Sequence, residues 1–305
     1  MDPTPPSQRA PLNESARASR RNWLCTLGGL GASTVLGGHL TAQAQATTAS
    51  KAHIVVVGSG LGGIAVANRL RAMLSDARIT IIDKKEVHNY QPGYTLVATG
   101  VWPVGKVIDR NADFQPAGAE WVKDMVAAFE PASSTVVTAG GKRVTYDVLV
   151  VATGTHQDWA RIEGMDVGAI GTNGLTSVYP SSDAAVATWA AMDTFRQQGG
   201  KAVMTLPATP LKCAGAPLKM TFMLRDRLAQ AGTLGQSEVH FHSALGNVFG
   251  VKPVNDNVLE RWQKLGIQVH TNEALAAVDI GKRIATFASP EGERTQHDYD
   301  FIHVV

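Results

Sequence analysis

The chain has 305 residues, 44% hydrophobic and 18% charged, a balance that suits a folded protein of about two domains and excludes a disordered or fibrous one. Its net charge is +2, and residues 1–46 carry the excess, in Arg9, Arg17, Arg20 and Arg21 against Asp2 and Glu14. The remainder is close to neutral, so it has no basic stripe to neutralise phosphates, and nucleic acid is not an expected partner.

Residues 1–46 read as a leader and are set aside from the fold. Ser19-Arg20-Arg21-Asn22-Trp23-Leu24 has the pattern of a twin-arginine export signal, and a glycine-rich apolar stretch over 24–40 follows it. Two small-x-small cleavage sites, Ala42-Gln43-Ala44 and Ala44-Gln45-Ala46, complete the order. An anchor would need about 20 strongly apolar residues, whereas glycines, Ser33 and His39 interrupt this stretch. The expected location is the periplasm, reached by a chain that folds around its cofactor before export. Of the 2 cysteines, Cys25 falls in the leader, so Cys213 is left without an internal disulfide partner.

The first domain is expected over 47–160. His53 to Val57 is a short apolar run of the buried parallel-strand type, leading into Gly58-Ser59-Gly60-Leu61-Gly62-Gly63 and an apolar helix over Ile64 to Leu74. Gly58 makes the turn, Gly60 lets the backbone approach a pyrophosphate, and Gly63 lets helix and strand pack closely. A second strand, Arg78 to Ile82, ends at Asp83, whose carboxylate can accept from a ribose diol. Further strands are expected over Trp121 to Phe129 and Val144 to Val151, with Thr135 to Lys142 in a small antiparallel excursion.

The second domain is expected over 161–305 and repeats the pattern with one change. Lys201 to Leu206 reads as a buried parallel strand, and Pro217 to Gln230 as a helix opened by proline at its first position. Between them, Leu206-Pro207-Ala208-Thr209-Pro210-Leu211-Lys212-Cys213-Ala214-Gly215-Ala216-Pro217 stands where a second phosphate loop would lie. Such a loop cannot close its amides on a pyrophosphate, but it presents a thiol at a helix N-terminus. Lys212 and that helix end both favour the reactive thiolate. A strand over Glu238 to His242, a helix over Asn255 to Leu265, a strand over Ile267 to His270 and a hairpin from Val278 to Phe287 follow. The strand at 238–242 ends without an acidic ribose ligand, in keeping with the altered loop.

The Ala152-Thr153-Gly154-Thr155 end of the 144–151 strand resembles the return strand of flavoproteins with two dinucleotide folds, which implies FAD. Three further runs narrow the resemblance: His88-Asn89-Tyr90-Gln91-Pro92-Gly93-Tyr94-Thr95-Leu96-Val97, Pro210 to Pro217, and Leu245-Gly246-Asn247-Val248-Phe249-Gly250-Val251-Lys252. Together they resemble the sulfide:quinone oxidoreductases, of the kind close to the mitochondrial enzymes. The resemblance implies an α/β fold of two nested Rossmann-like domains, FAD as cofactor, and sulfide and a membrane quinone as substrates. It implies Cys213 as the flavin-proximal redox cysteine, assisted by Lys212. It adds Lys84, Gln91, Pro92, Thr153 and Gly154 to Gly58, Gly60, Gly63 and Asp83 as cofactor-binding residues. In that family a second redox cysteine, the return segment of the FAD domain and the membrane-touching helices lie further toward the C-terminus. The chain therefore reads as truncated, with peripheral membrane association expected only through that absent part.

Three rival readings stay open from the sequence. They are the flavin subunit of a periplasmic flavocytochrome sulfide dehydrogenase, an NADH:quinone dehydrogenase, and an inactive flavin-binding fragment. Tyr90 and Tyr94 are expected to pack the flavin pocket, and His88 and His156 to lie in loops near it. Glu163 and Asp166 are weaker candidates for acids near the sulfur site. His240 and His242 share one strand face, but no third ligand has sensible spacing, so no metal site is expected.

Overall fold

The computed structural model describes residues 47–305; the expected twin-arginine leader and cleavage sites fall outside the described residues. Two parallel sheets organise the fold. The first is built by β1 (His53–Val57), β2 (Arg78–Ile82), β5 (Glu120–Val122) and β9 (Val148–Val151), in the order β5-β2-β1-β9. β1 reads Ile-Val-Val-Val and β2 Ile-Thr-Ile-Ile over their buried residues, as strands covered on both faces must. Helix α1 (Leu61–Met73) joins β1 to β2 and buries Gly63, Ile64 and Ala67 against the sheet.

Short antiparallel elements flank this sheet: β3 (Val87–Asn89) pairs with β4 (Ile108–Arg110), and β6 (Val126–Glu130), β7 (Thr135–Thr138) and β8 (Arg143–Thr145) form the expected excursion. His88 therefore sits on a strand, where a loop was expected. Two expected strands prove to be pairs of strands. The 121–129 run breaks at Lys123–Met125, where Asp124 accepts from the Met125 and Gly140 amides at 2.7 and 2.9 Å. The 144–151 run breaks at Tyr146–Asp147, where the Asp147 carboxylate accepts from the His53 amide at 2.7 Å. In each case one half serves the antiparallel excursion and the other the parallel sheet, a change of partner that the apolar pattern does not encode.

The second sheet is formed by β10 (Leu175–Thr176), β11 (Gly200–Leu206), β12 (Ser237–Ser243), β13 (Gln268–Thr271) and β17 (Phe301–His303), all parallel, in the order β10-β17-β11-β12-β13. Helices α2 (Ser182–Gln198), α3 (Gly215–Ala231) and α4 (Lys252–Leu265) connect it. Ser181 caps α2 by accepting from the Ala184 amide, and Gly232 and Gly266 end α3 and α4 in the left-handed region. Pro217 is the third residue of α3, not the first; its absent N–H still falls among those with no helical partner. Trp262 is fully buried between Phe241 and Phe222, with ring centroids 4.7 and 5.6 Å away. Among the described residues no helix is long and apolar enough to cross a membrane.

The expected hairpin is a three-stranded sheet of β14 (Ala274–Asp279), β15 (Ile284–Ala288) and β16 (Arg294–Asp298). It corrects the reading of His240 and His242 as a pair without further partners. Parallel pairing sets His270 of β13 directly beside His242, while Glu273 and His297 reach the same place from the segments that follow.

Candidate functional site

The glycine turn takes its shape from steric demands that differ at each position. Gly58 has φ +102°, and a Cβ there would lie 2.4 Å from the Ala152 carbonyl oxygen. A Cβ on Gly63 would lie 1.9 Å from the Gly58 carbonyl oxygen. Both are packing requirements between β1, α1 and β9. Gly60 differs: a Cβ added to it meets no protein atom within 4 Å. The space it would enter is a cavity of about 1230 Å³, above the roughly 300–1,000 Å³ of a drug-sized ligand pocket.

Gly60 is also the residue preceding α1, and no side chain caps the first amides of that helix. Those N–H groups, together with the helix dipole, make an anion cradle at the cavity wall. At the end of β2, Asp83 accepts from the Ser59 amide at 2.7 Å and the Lys85 amide at 2.8 Å. It thus clamps the turn and keeps lone pairs for a ribose hydroxyl. A dinucleotide fits these features: pyrophosphate at the start of α1, ribose at Asp83.

Of the expected site residues, Gly58, Gly60, Asp83, Lys84, Gln91, Pro92, Thr153, Gly154, Lys212 and Cys213 all line this cavity, with Tyr90, Tyr94 and His88. Gly63 stands behind the wall as a packing residue. His156, Glu163 and Asp166 are not in the lining. Glu163 is exposed and faces Arg294 at 3.9 Å, and Asp166 caps a turn by accepting from the Gly168 amide at 2.8 Å. Neither acid reaches the sulfur.

Cys213 lies two residues before α3, on the wall of the same cavity, and is the one cysteine among the described residues. Its loop is fastened to the segment after β10. The Tyr179 hydroxyl donates to the Cys213 carbonyl oxygen at 2.9 Å, and Lys212 Nζ donates to the Tyr179 carbonyl oxygen at 3.4 Å. Burial, and then the charge of Cys213, push the Tyr179 hydroxyl far above its ordinary range, so it remains a donor. Burial, with nearby Lys85, lowers the Lys212 ammonium, while Cys213 opposes that shift. Lys212, exposed on the cavity wall, therefore gives up its proton more readily than a free lysine.

Two residues carry the site without having announced themselves in the sequence. Asn111, 1% exposed, donates from Nδ2 to Ser59 Oγ and to the Lys85 carbonyl oxygen, both at 2.6 Å, and its Oδ1 lies 3.2 Å from His88 Nδ1. It ties the glycine turn to the β2 end and to the His88 strand. Tyr179 does the same for the cysteine loop. No motif marks either one, and the turn-and-strand signals around them are ordinary.

A family model described as pyridine nucleotide-disulphide oxidoreductase matches residues 52–201. The mitochondrial sulfide:quinone oxidoreductase of Dictyostelium discoideum is 35% identical over 253 residues, 83% of this chain and 55% of that protein. The Mus musculus protein of the same name is 30% identical over 279 residues, 89% of this chain and 60% of its own length. This is a sulfide:quinone oxidoreductase-like flavoprotein. The solved sulfide:quinone oxidoreductase of Aquifex aeolicus shares its fold at a TM-score of 0.70 and 23% identity, over 82% of this chain and 57% of that one. The chain thus spans little more than half the length of these relatives. FAD is the cofactor that this kind of flavoprotein and the cavity together imply.

Proposed function

We propose that this sulfide:quinone oxidoreductase-like flavoprotein chain carries the flavin-binding and sulfide-handling part of an enzyme that oxidises sulfide and passes the electrons to a quinone. The observation that carries the reading is that Cys213 and the glycine turn open into one cavity. Bound FAD supplies a two-electron acceptor in that cavity. The residues do the rest. The Cys213 sulfur bonds to the sulfur of sulfide, leaving a persulfide on the protein with loss of two protons and two electrons. Bound FAD would accept the two electrons for delivery to a quinone, and the protons go to solvent, with Lys212 able to relay one only when its amine is neutral. Tyr179 and Lys212 hold the cysteine loop still during this exchange. A second thiol is needed to release the sulfur, and the described residues hold none besides Cys213. The twin-arginine pattern at Ser19 to Leu24 supports a periplasmic enzyme that meets its quinone at the membrane surface.

The deciding experiment is anaerobic reduction of the bound flavin by sulfide in the FAD-loaded protein. Sulfide should bleach the flavin band, and Cys213→Ser should abolish the bleaching while leaving FAD bound, because a hydroxyl cannot carry a persulfide. Saturable bleaching by NADH, or undiminished sulfide reduction in Cys213→Ser, would overturn the proposal.

A further inference from the structure

Three imidazoles meet on one face of the second sheet, away from the flavin cavity. His240 and His242 alternate on β12, and His270 lies beside His242 in register on β13. Ring centroids are 4.3 Å apart for His242 and His270, 5.3 Å for His240 and His270, and 6.3 Å for His240 and His242. Phe287 closes the inner side, stacked on His242 at 4.0 Å. None of the three histidines lines the flavin cavity.

Two carboxylates decide which nitrogens are free. Glu273 Oε2 lies 2.6 Å from His242 Nδ1, and Glu238 Oε2 lies 3.1 Å from His240 Nε2. A carboxylate accepts only, so each of those nitrogens carries the proton. The lone pairs are left on His242 Nε2 and His240 Nδ1. His242 is fully buried, and its Nε2 has neither solvent nor any hydrogen-bond partner. An orphaned buried lone pair is unfavourable unless something occupies it. His240 Nδ1 lies 3.1 Å from His270 Nε2. Moving the His270 proton from one ring nitrogen to the other, with no change of charge, leaves two lone pairs at that separation. Two ligands of a tetrahedral ion with bonds of about 2.0–2.1 Å stand roughly 3.3 Å apart.

We propose that His240, His242 and His270 bind one divalent transition-metal ion of the zinc class, with Glu238 and Glu273 orienting two of the rings. One nitrogen from each of the three histidines already lies within 4.8 Å of the others, and the rings, now stacked at interplanar angles of 10–24°, must tilt for their in-plane lone pairs to meet at one ion. The carboxylate-histidine pairing is the arrangement that metal-bound imidazoles use to fix their tautomer. Three nitrogen donors suit zinc, copper or nickel and are wrong for calcium or magnesium. His297, on the outer strand β16, approaches His242 edge-on at 4.8 Å and closes the open side. A bound ion would cross-link β12 and β13 beneath the β14–β16 sheet.

The test uses the FAD-loaded full chain with a tag free of histidine, stripped by a chelator and titrated with Co²⁺. One Co²⁺ per chain should bind, with visible bands of a four-coordinate nitrogen site, and one equivalent of Zn²⁺ should displace it. His270→Asn should weaken binding at least about 100-fold, and Glu273→Gln about 10–100-fold, as loss of an orienting carboxylate does. Cys213→Ser should leave the titration unchanged. Flavin content and circular dichroism confirm that each variant is folded. X-ray absorption of the wild-type Zn²⁺ form provides a check that needs no variant, and should show nitrogen or oxygen donors alone. Absence of stoichiometric Co²⁺ binding, full affinity in a folded His270→Asn, or sulfur in the zinc shell would each overturn the proposal.

Discussion

Substituting Gly60 by valine separates the role of ligand cradle from that of packing more cleanly than any other change in the glycine turn. Its Cβ would meet no protein atom within 4 Å, and its φ of −73° is open to any residue. The folding cost is therefore that of a poor residue preceding a helix, about 1 kcal/mol. The isopropyl group would instead occupy cavity space in front of the first α1 amides. Displacing a pyrophosphate from two such charge-assisted bonds, at about 1.5–3 kcal/mol each, costs about 3–6 kcal/mol, or roughly 10²–10⁴-fold in affinity. Gly63→Val is the contrast, because its Cβ would lie 1.9 Å from the Gly58 carbonyl oxygen and the β1-α1 contact must open. The assay is the flavin-to-protein absorbance ratio after desalting, read beside the thermal melt. Gly60→Val should be colourless with a melt close to that of the wild-type apoprotein, whereas Gly63→Val should lose the fold as well. A Gly60→Val protein that keeps stoichiometric FAD, or one that loses flavin only by unfolding, would refute the reasoning.

Asn111→Leu keeps the volume but deletes both donated bonds and leaves Ser59 and the Lys85 carbonyl unpaired, so it should destabilise by about 2–4 kcal/mol and weaken FAD binding; an unchanged urea midpoint would count against it. His303 is fully buried on β17 with both ring nitrogens unpaired, and burial holds it down to about 3 from its ordinary 6.5. Between those values the unfolded chain binds a proton that the folded chain does not, so stability falls as pH drops below about 6.5, by about 1.4 kcal/mol per pH unit. His242, also held down by burial, adds a change of the same sign, so the pH 7 to pH 5 loss of stability, read from urea midpoints, should exceed the His303 share, and His303→Leu should reduce it by roughly 2 kcal/mol. Equal midpoints in the wild type would refute it.

Much of the candidate site was legible in the sequence because its signals are local. The Gly58 to Gly63 turn, the β1 and β2 strands and the cysteine loop before α3 each lie within a window where apolar period and turn chemistry act on neighbouring residues. The β1 and β2 bounds came out as the sequence implied for that reason. The splitting of the 121–129 and 144–151 runs did not, since an apolar residue fits an antiparallel partner as well as a parallel one. Asp124 and Asp147 make those breaks through bonds to Gly140 and His53, partners that no local pattern points to.

The sequence by itself determined that a dinucleotide turn and a thiol loop exist in two successive Rossmann-like units. Only the tertiary structure decided that they open into one cavity, that Asn111 and Tyr179 hold its walls, and that Glu163 and Asp166 stand elsewhere. The histidine cluster shows the reason most plainly. His240 and His242 share a face by the two-residue period of a strand, but His270 and Glu273 reach them from 30 and 31 positions away. That approach depends on β12 pairing with β13. Strand pairing is set by burial and closure of the whole sheet, which sums over contacts distant in sequence and leaves no mark at the residues it brings together.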